Sequence, residues 1–256
     1  MAALGTEAMG SWALLLAAGL AAGMINVLAG GGSFITLPVL IFFGLPPGVA
    51  NGTNRLGIVV QDLAAVWSFD RQGVLDRRMA ARAAIPATLG AGAGALLALR
   101  TSDALLLDIL PWLMVALALG SLWRPTPPDE KRPMSKLTSP AGVASTLGFF
   151  AAGVYGGFIQ AGVGFLFLAL TTLLGLDLVR GNAIKVLSIL PLAVVALVIF
   201  AANDRVDWLV GSLLAVGFLA GGLIGARLTV LKGHRWVRAV VTLAILAFAL
   251  RLLLMN

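Results

Sequence analysis

No cysteine occurs in the 256 residues, His234 is the only histidine, Tyr155 the only tyrosine, and charged side chains make up 11% of the chain. The missing cysteines exclude disulfides, thiolate metal sites and cysteine nucleophiles. A single histidine, set in a basic stretch, cannot assemble a histidine metal cluster, and neither HExxH nor GxSxG is present, so an intramembrane protease has no machinery to use. The chain reads as a non-enzyme that needs no metal or cofactor. It also lacks a GxxxxGK[ST] loop, so any dependence on ATP would need another subunit. Soluble domains carry about 25% charged residues, and a chain with less than half of that has too little polar surface to live in water. The net charge of +7 does not indicate nucleic acid, because the basic residues stand between apolar runs and do not gather on one recognition face. The positive n-region of a cleaved signal peptide is absent too, since Glu7 is the one charge before a long apolar stretch; residues 11–28 are expected to be a retained first helix.

What the chain does contain is apolar: 60% hydrophobic residues and a mean hydropathy of +1.01. A spanning helix needs roughly 20 such residues. Ten apolar segments can be marked, at residues 11–28, 34–45, 53–69, 79–99, 104–122, 141–160, 164–175, 182–202, 207–229 and 236–254. The second and seventh are too short to cross a bilayer, and each follows a glycine-rich stretch. The fold class expected is an all-α integral membrane protein of about ten segments.

Basic residues fall in three links: Arg71, Arg77, Arg78 and Arg82; Arg124, Lys131, Arg132 and Lys136; Arg227, Lys232, Arg235 and Arg238. By the positive-inside rule these links face the cytoplasm, and the even number of segments between them is consistent with one side. The location expected is a bacterial cytoplasmic membrane, crossed many times. A Pro-rich cytoplasmic linker, residues 123–140, separates a first repeat, 1–122, from a second, 141–256. Written one above the other, the halves match at an offset of 130 to 132 residues: Ala29, Gly30 and Gly32 with Ala161, Gly162 and Gly164; Arg55 with Lys185; Gly90 and Gly94 with Gly221 and Gly225. Five segments are an odd number of crossings, so the second copy is expected upside down. Its charges agree, because the arginine-rich link after segment three becomes the net acidic NDRVD after segment eight.

Inverted-repeat transporters place their substrate near the midplane, at short glycine-interrupted segments in matching positions. AGGGSF and QAGVGF fit that description. A helix restarting at Ser33 or Phe165 aims N–H groups and the positive end of its dipole at the break, which favours an anion. Arg55 and Lys185 stand at equivalent places in apolar segments, where a charge costs about 2.5 to 3.5 kcal/mol unless it faces a cavity or partner. Asn26, Asn51, Thr53, Asn54, Gln160 and Asn182 cluster with them. Asp62, seven residues after Arg55 on the same helical face, pairs with a basic residue or carries a coupled proton. Simpler roles stand beside these: Arg55 and Lys185 as anchors snorkelling to headgroups, Asp62 and Asp108 in structural or interfacial pairing, Asn26 and Gln160 as interhelical hydrogen bonds, Gly90, Gly94, Gly217, Gly221 and Gly225 as close-packing contacts. Tyr155 and the tryptophans Trp12, Trp67, Trp112, Trp123, Trp208 and Trp236 are expected in the interfacial belts.

At GLAAGMINVLAGGGSFITLPVLIFFGLPPGVANGTNRLG, and in a weaker second copy at GVYGGFIQAGVGFLFLALTTLLGLDLVRGNAIK, the chain resembles the TauE/SafE family of sulfite exporters. With GAGAG and GGLIGARL the likeness covers nearly the whole chain. It implies transport of sulfite, organosulfonates or other small anions. On this sequence it points to Gly30, Gly31, Gly32 and Ser33, to Gly162 through Phe165, and to the stretches Asn51–Arg55 and Asn182–Lys185. The second copy has Val163 for Gly31, Phe165 for Ser33 and Ala183 for Thr53, so hydroxyl contacts with a substrate would come from one half only.

The expectation is therefore a secondary transporter for a small anion, working by alternating access, with a passive anion channel as the rival reading and a non-transporting scaffold as a third. Its partners would be the anion, membrane lipid and a coupling ion, proton or sodium; an assembly of identical copies is open.

Overall fold

A computed structural model describes the backbone of residues 2–122 and 140–254, and side chains over most of 12–113 and 142–232. Among these residues the chain is entirely helical: α1 (Ala2–Leu28), α2 (Ser33–Phe42), α3 (Pro47–Arg71), α4 (Arg77–Leu99), α5 (Asp103–Leu122), α6 (Pro140–Phe158), α7 (Val163–Leu173), α8 (Leu178–Ala201) and α9 (Trp208–Leu254). Arg77–Leu99, Leu178–Ala201 and Trp208–Lys232 are each long and apolar enough to cross a membrane, and shorter apolar helices lie between them. The chain is a multi-pass helical membrane protein. Most of the expected linker, 123–139, with Trp123 and the second basic cluster, lies outside the described residues.

Segments nine and ten are not separated by a loop. α9 runs unbroken for 47 residues through the basic stretch around His234. The physical reason is local: that stretch holds one glycine and no proline, and Lys and Arg are good helix formers. α1 likewise starts at Ala2, earlier than the expected residue 11.

Two helices end early, at the foreseen places. After Leu28 the chain leaves the helix for four residues and restarts at Ser33; after Phe158 it does so again and restarts at Val163, two residues before the expected Phe165. Gly30 (φ 94°) and Gly162 (φ 73°), equivalent by the offset of 132, both take the left-handed conformation that glycine adopts without penalty. The same pairing recurs at two further turns. Gly44 matches Gly175, with both φ at 87°, and Gly73 (φ 69°) matches Asp204 (φ 55°). The hydrogen bonds match as well: Leu45 N to Leu40 O (3.2 Å) with Leu176 N to Thr171 O (3.1 Å), and Val74 N to Phe69 O (3.3 Å) with Arg205 N to Phe200 O (2.9 Å).

α1 packs along α9 and α6 along α4, so each half's first helix lies on the other half's fourth. Those seams are built from small residues. The backbone of Gly90 and Gly94 touches α6 at Phe150 and Val154, that of Gly153 and Gly157 touches Ala87 and Ala91, and that of Gly217 and Gly221 touches α1 at Leu16 and Leu20. Glycine there serves close approach, as in other membrane helix pairs. α3 and α8 pack against each other. Gly52 and Arg55 of α3 meet Phe200 near the end of α8, whereas Ala65 and Phe69 of α3 pack with Ala183 and Val186 near its start. At one end of the molecule Arg205 pairs with Asp103 at 3.7 Å, and Asp103 accepts from Gly48 N at 2.8 Å.

Candidate functional site

A helix that stops inside a bilayer leaves its last four carbonyls without helical partners, and in hydrocarbon no water replaces them. In α1 these are the carbonyls of Ile25, Asn26, Val27 and Leu28. Ile25 O accepts from Ala29 N at 2.7 Å. Lys185 Nζ, from α8, donates to Asn26 O at 2.9 Å and Val27 O at 2.8 Å, and Asn182 Nδ2 to Leu28 O at 3.2 Å. Every one of the four is satisfied.

The end of α6 repeats this arrangement with partners from α3. Tyr155 O accepts from Ile159 N at 2.8 Å. Arg55 donates through Nη1 to Gly156 O at 3.0 Å and through Nη2 to Gly157 O at 2.6 Å; Asn51 Nδ2 donates to Phe158 O at 2.7 Å. Each half thus closes the broken helix of the other with one cation and one asparagine. The asparagines also steady their cations, Asn182 Oδ1 accepting from Lys185 Nζ at 2.7 Å and Asn51 Oδ1 from Arg55 Nη2 at 3.4 Å. Arg55 and Lys185 are 0% and 1% exposed, so neither snorkels to headgroups. Their charges stand at helix C-termini, where the dipole is negative, and most of their donors are spent on carbonyls. Both cations thus secure the ends of broken helices, a role that the sequence alone did not show.

The two breaks touch. Gly30 backbone lies against that of Gly164, with no room for a side chain on either, and Gly31 sits under the Phe165 ring; the rings of Phe34 and Phe165 are 6.0 Å apart. Gly32 is pressed against Ala22 and Asn26 of α1. Neither α2 nor α7 has a side-chain cap at its N-terminus.

Around this centre the remaining polar residues divide. Asn54 Nδ2 donates to Ser33 Oγ at 3.0 Å and its Oδ1 accepts from Thr36 Oγ1 at 2.6 Å, holding the start of α2. Gln160 Oε1 accepts from Arg55 Nη1 at 3.0 Å. Asn26 Nδ2 donates to Gln61 Oε1 at 3.2 Å, and Gln61 Nε2 to Asp62 Oδ1 at 2.7 Å. Asp62 is 2% exposed and feels the charge of Lys185 without a contact ion pair among the described residues. Thr53 is directed elsewhere: its hydroxyl accepts from Asp207 N at 2.9 Å, ahead of α9. Asp108 is exposed.

Sequence reasoning missed Thr36, Gln61, Phe200 and Tyr155. Gln61 and Thr36 carried a signal, a second polar residue beside Asp62 and a hydroxyl one turn after Ser33. Phe200, whose ring lies 4.7 Å from the Arg55 guanidinium, looks like any apolar residue in its segment. Tyr155 takes part in the α6 break, its hydroxyl donating to Ala161 O at 2.6 Å. Trp12, Trp67, Trp112 and Trp208 are exposed. Among the described residues no cluster of metal-ligating side chains occurs.

Comparison with known proteins agrees with this architecture. Residues 15–252 match the family described as "Sulfite exporter TauE/SafE". A "Probable membrane transporter protein" of Haemophilus influenzae is 32% identical over 90% of this chain and 90% of its own. One of a Sinorhizobium species, ORF9, is 32% identical over 94% and 92%, and YfcA of Escherichia coli K12 is 28% identical over 91% and 86%. No solved structure gives a significant match.

Proposed function

Because the chain belongs to the TauE/SafE sulfite exporter family, we propose that it is a secondary transporter moving a small anion, sulfite or an organosulfonate, across the bacterial cytoplasmic membrane by alternating access between two inverted halves. The observation that carries this reading is the crosswise closure of the two broken helices by Lys185 with Asn182 and by Arg55 with Asn51. Broken helices at matching positions are where inverted-repeat carriers hold their substrate. Here each break is tied to the opposite half, so the halves cannot shift without remaking those bonds.

Inversion has its own support. Equivalent helices α3 and α8 pack start to end: Gly52 and Arg55 stand beside Phe200, and Phe69 shares an apolar cluster with Ala183. Gly52 and Ala183 are related by an offset of 131, as are Phe69 and Phe200, so the two neighbourhoods correspond. In this reading the Arg71–Arg82 link faces the cytoplasm, and the substrate site takes in Asn26, Gly30, Gly31, Gly32, Ser33, Asn51, Asn54, Arg55, Gln160, Gly162, Gly164, Asn182 and Lys185, with Thr53 supporting from outside.

Asp62 is the coupling group. Its Oδ2 is buried without a partner, and its carboxylate lies beside the network that secures the end of α1. A proton needs one such oxygen, whereas sodium needs a shell of several, and among the described residues Asp62 belongs to no group of three or more metal-ligating side chains.

Counterflow in proteoliposomes tests the reading. Labelled sulfite is expected to enter faster when unlabelled sulfite is trapped inside, and to saturate. Unitary currents would indicate a pore, and movement of only cations or neutral solutes would end the anion assignment.

A further inference from the structure

The two cations are not equivalent once their hydrogen bonds are counted. Lys185 has three N–H donors, and Asn26 O, Val27 O and Asn182 Oδ1 accept all three at 2.7 to 2.9 Å. Nothing remains for a ligand. Arg55 has five donors. Its Nη atoms are engaged, but Nε is buried with no partner, and so is Nε2 of Gln160, whose Oε1 is bonded to the same guanidinium. Gln160 is 2% exposed. Buried donors left unmade cost free energy, and such exceptions in a structure call for an explanation. Two of them on one hydrogen-bonded pair, three residues before the uncapped N-terminus of α7, form a pole with surplus donors. The α1–α2 break carries the opposite surplus, an unpartnered acceptor on Asp62.

We infer that a small monovalent oxyanion is held at the α6–α7 break by Arg55 Nε and Gln160 Nε2, and that Lys185 makes no contact with it. This rests on the transport reading above and narrows it to one pole. An oxyanion presents several acceptor oxygens, enough for both donors of this bonded pair. A cation would be repelled by Arg55, and a neutral acceptor would leave the guanidinium charge unbalanced in apolar surroundings. Among the described residues Arg55 is the cation bonded at this break, and a narrow crevice lined by Leu37, Ile41, Leu106, Leu110 and Ile159 reaches Asn51, which accepts from Arg55. A doubly charged ion would bring an uncompensated charge into apolar surroundings, which is costly; a monoanion is matched.

Binding to the purified full chain, measured by thermal shift and by calorimetry with bisulfite, methanesulfonate and sulfate as probes, tests the assignment. The wild type is expected to bind both monoanions, and sulfate at least about tenfold more weakly. Gln160→Glu keeps the side-chain shape and the acceptor for Arg55 while removing the Nε2 donor and adding a negative charge. It is expected to weaken monoanion binding about 100-fold or more with an unaltered elution profile. Unchanged affinity in Gln160→Glu would overturn the assignment while leaving anion transport standing; a wild type that moves no anion in counterflow would instead remove the transport reading. Should the variant fail to fold, the wild-type ranking decides, and sulfate binding as tightly as methanesulfonate would reject the monoanion pole.

Discussion

Asn51 and Asn182 each do two things that no apolar residue can do. Each donates to the last carbonyl of a broken helix and accepts from the cation that closes the rest of that helix end. Asn51→Leu leaves the Phe158 carbonyl buried and unbonded, so a loss of about 1–3 kcal/mol is expected, read as a lower unfolding midpoint in detergent. Lys185→Met leaves the buried Asn26 and Val27 carbonyls without their donor, and a loss of about 1–3 kcal/mol for each is expected; a midpoint equal to the wild type would contradict the capping role. Asp62→Asn has a different signature. It keeps an oxygen for Gln61 but cannot gain or lose a proton, so counterflow should persist while uptake driven by a proton gradient disappears.

The breaks that shape α1–α2 and α6–α7 depend on glycines of different kinds, and alanine separates them. At Gly44 a Cβ meets nothing within 4 Å, so the cost is only that of the positive φ, about 1–2 kcal/mol. At Gly30 the same atom would also strike the backbone of Gly164, and Gly30→Ala is expected to abolish a monodisperse protein where Gly44→Ala is tolerated. Both breaks were legible in the sequence because glycine-rich stretches adjoin segments too short to span, and Arg55 with Lys185 stood out as charges in apolar runs. What those charges do was not legible. Their partners are carbonyls of Gly156, Gly157, Asn26 and Val27, 101 to 159 residues away, and a carbonyl leaves no mark in the sequence. The fusion of segments nine and ten in α9 was missed because a cluster of basic residues reads as a loop, although none of its members interrupts a helix.

Across the whole molecule, the proposed inversion is open to a direct measurement, made simpler by the lack of native cysteines. Gln72→Cys follows α3 and Asn203→Cys occupies the equivalent turn after α8. With inversion, a membrane-impermeant maleimide added outside intact cells labels position 203 and spares 72; labelling of both from one side would rule inversion out. Charge movement gives a second check. One monoanion at the Arg55 pole and one proton on Asp62 sum to zero, so transport is expected to be unaffected by a potassium-diffusion potential.

The contact between Gly30 and Gly164 then acquires a mechanical meaning. Main chain rests on main chain with no side chain between to cushion or slip, so any tilt of one half pushes on the interruption in the other. In the alternating access proposed above, this contact would serve as a shared fulcrum, so that the two sides of the membrane open in opposition because both halves pivot on the same few atoms.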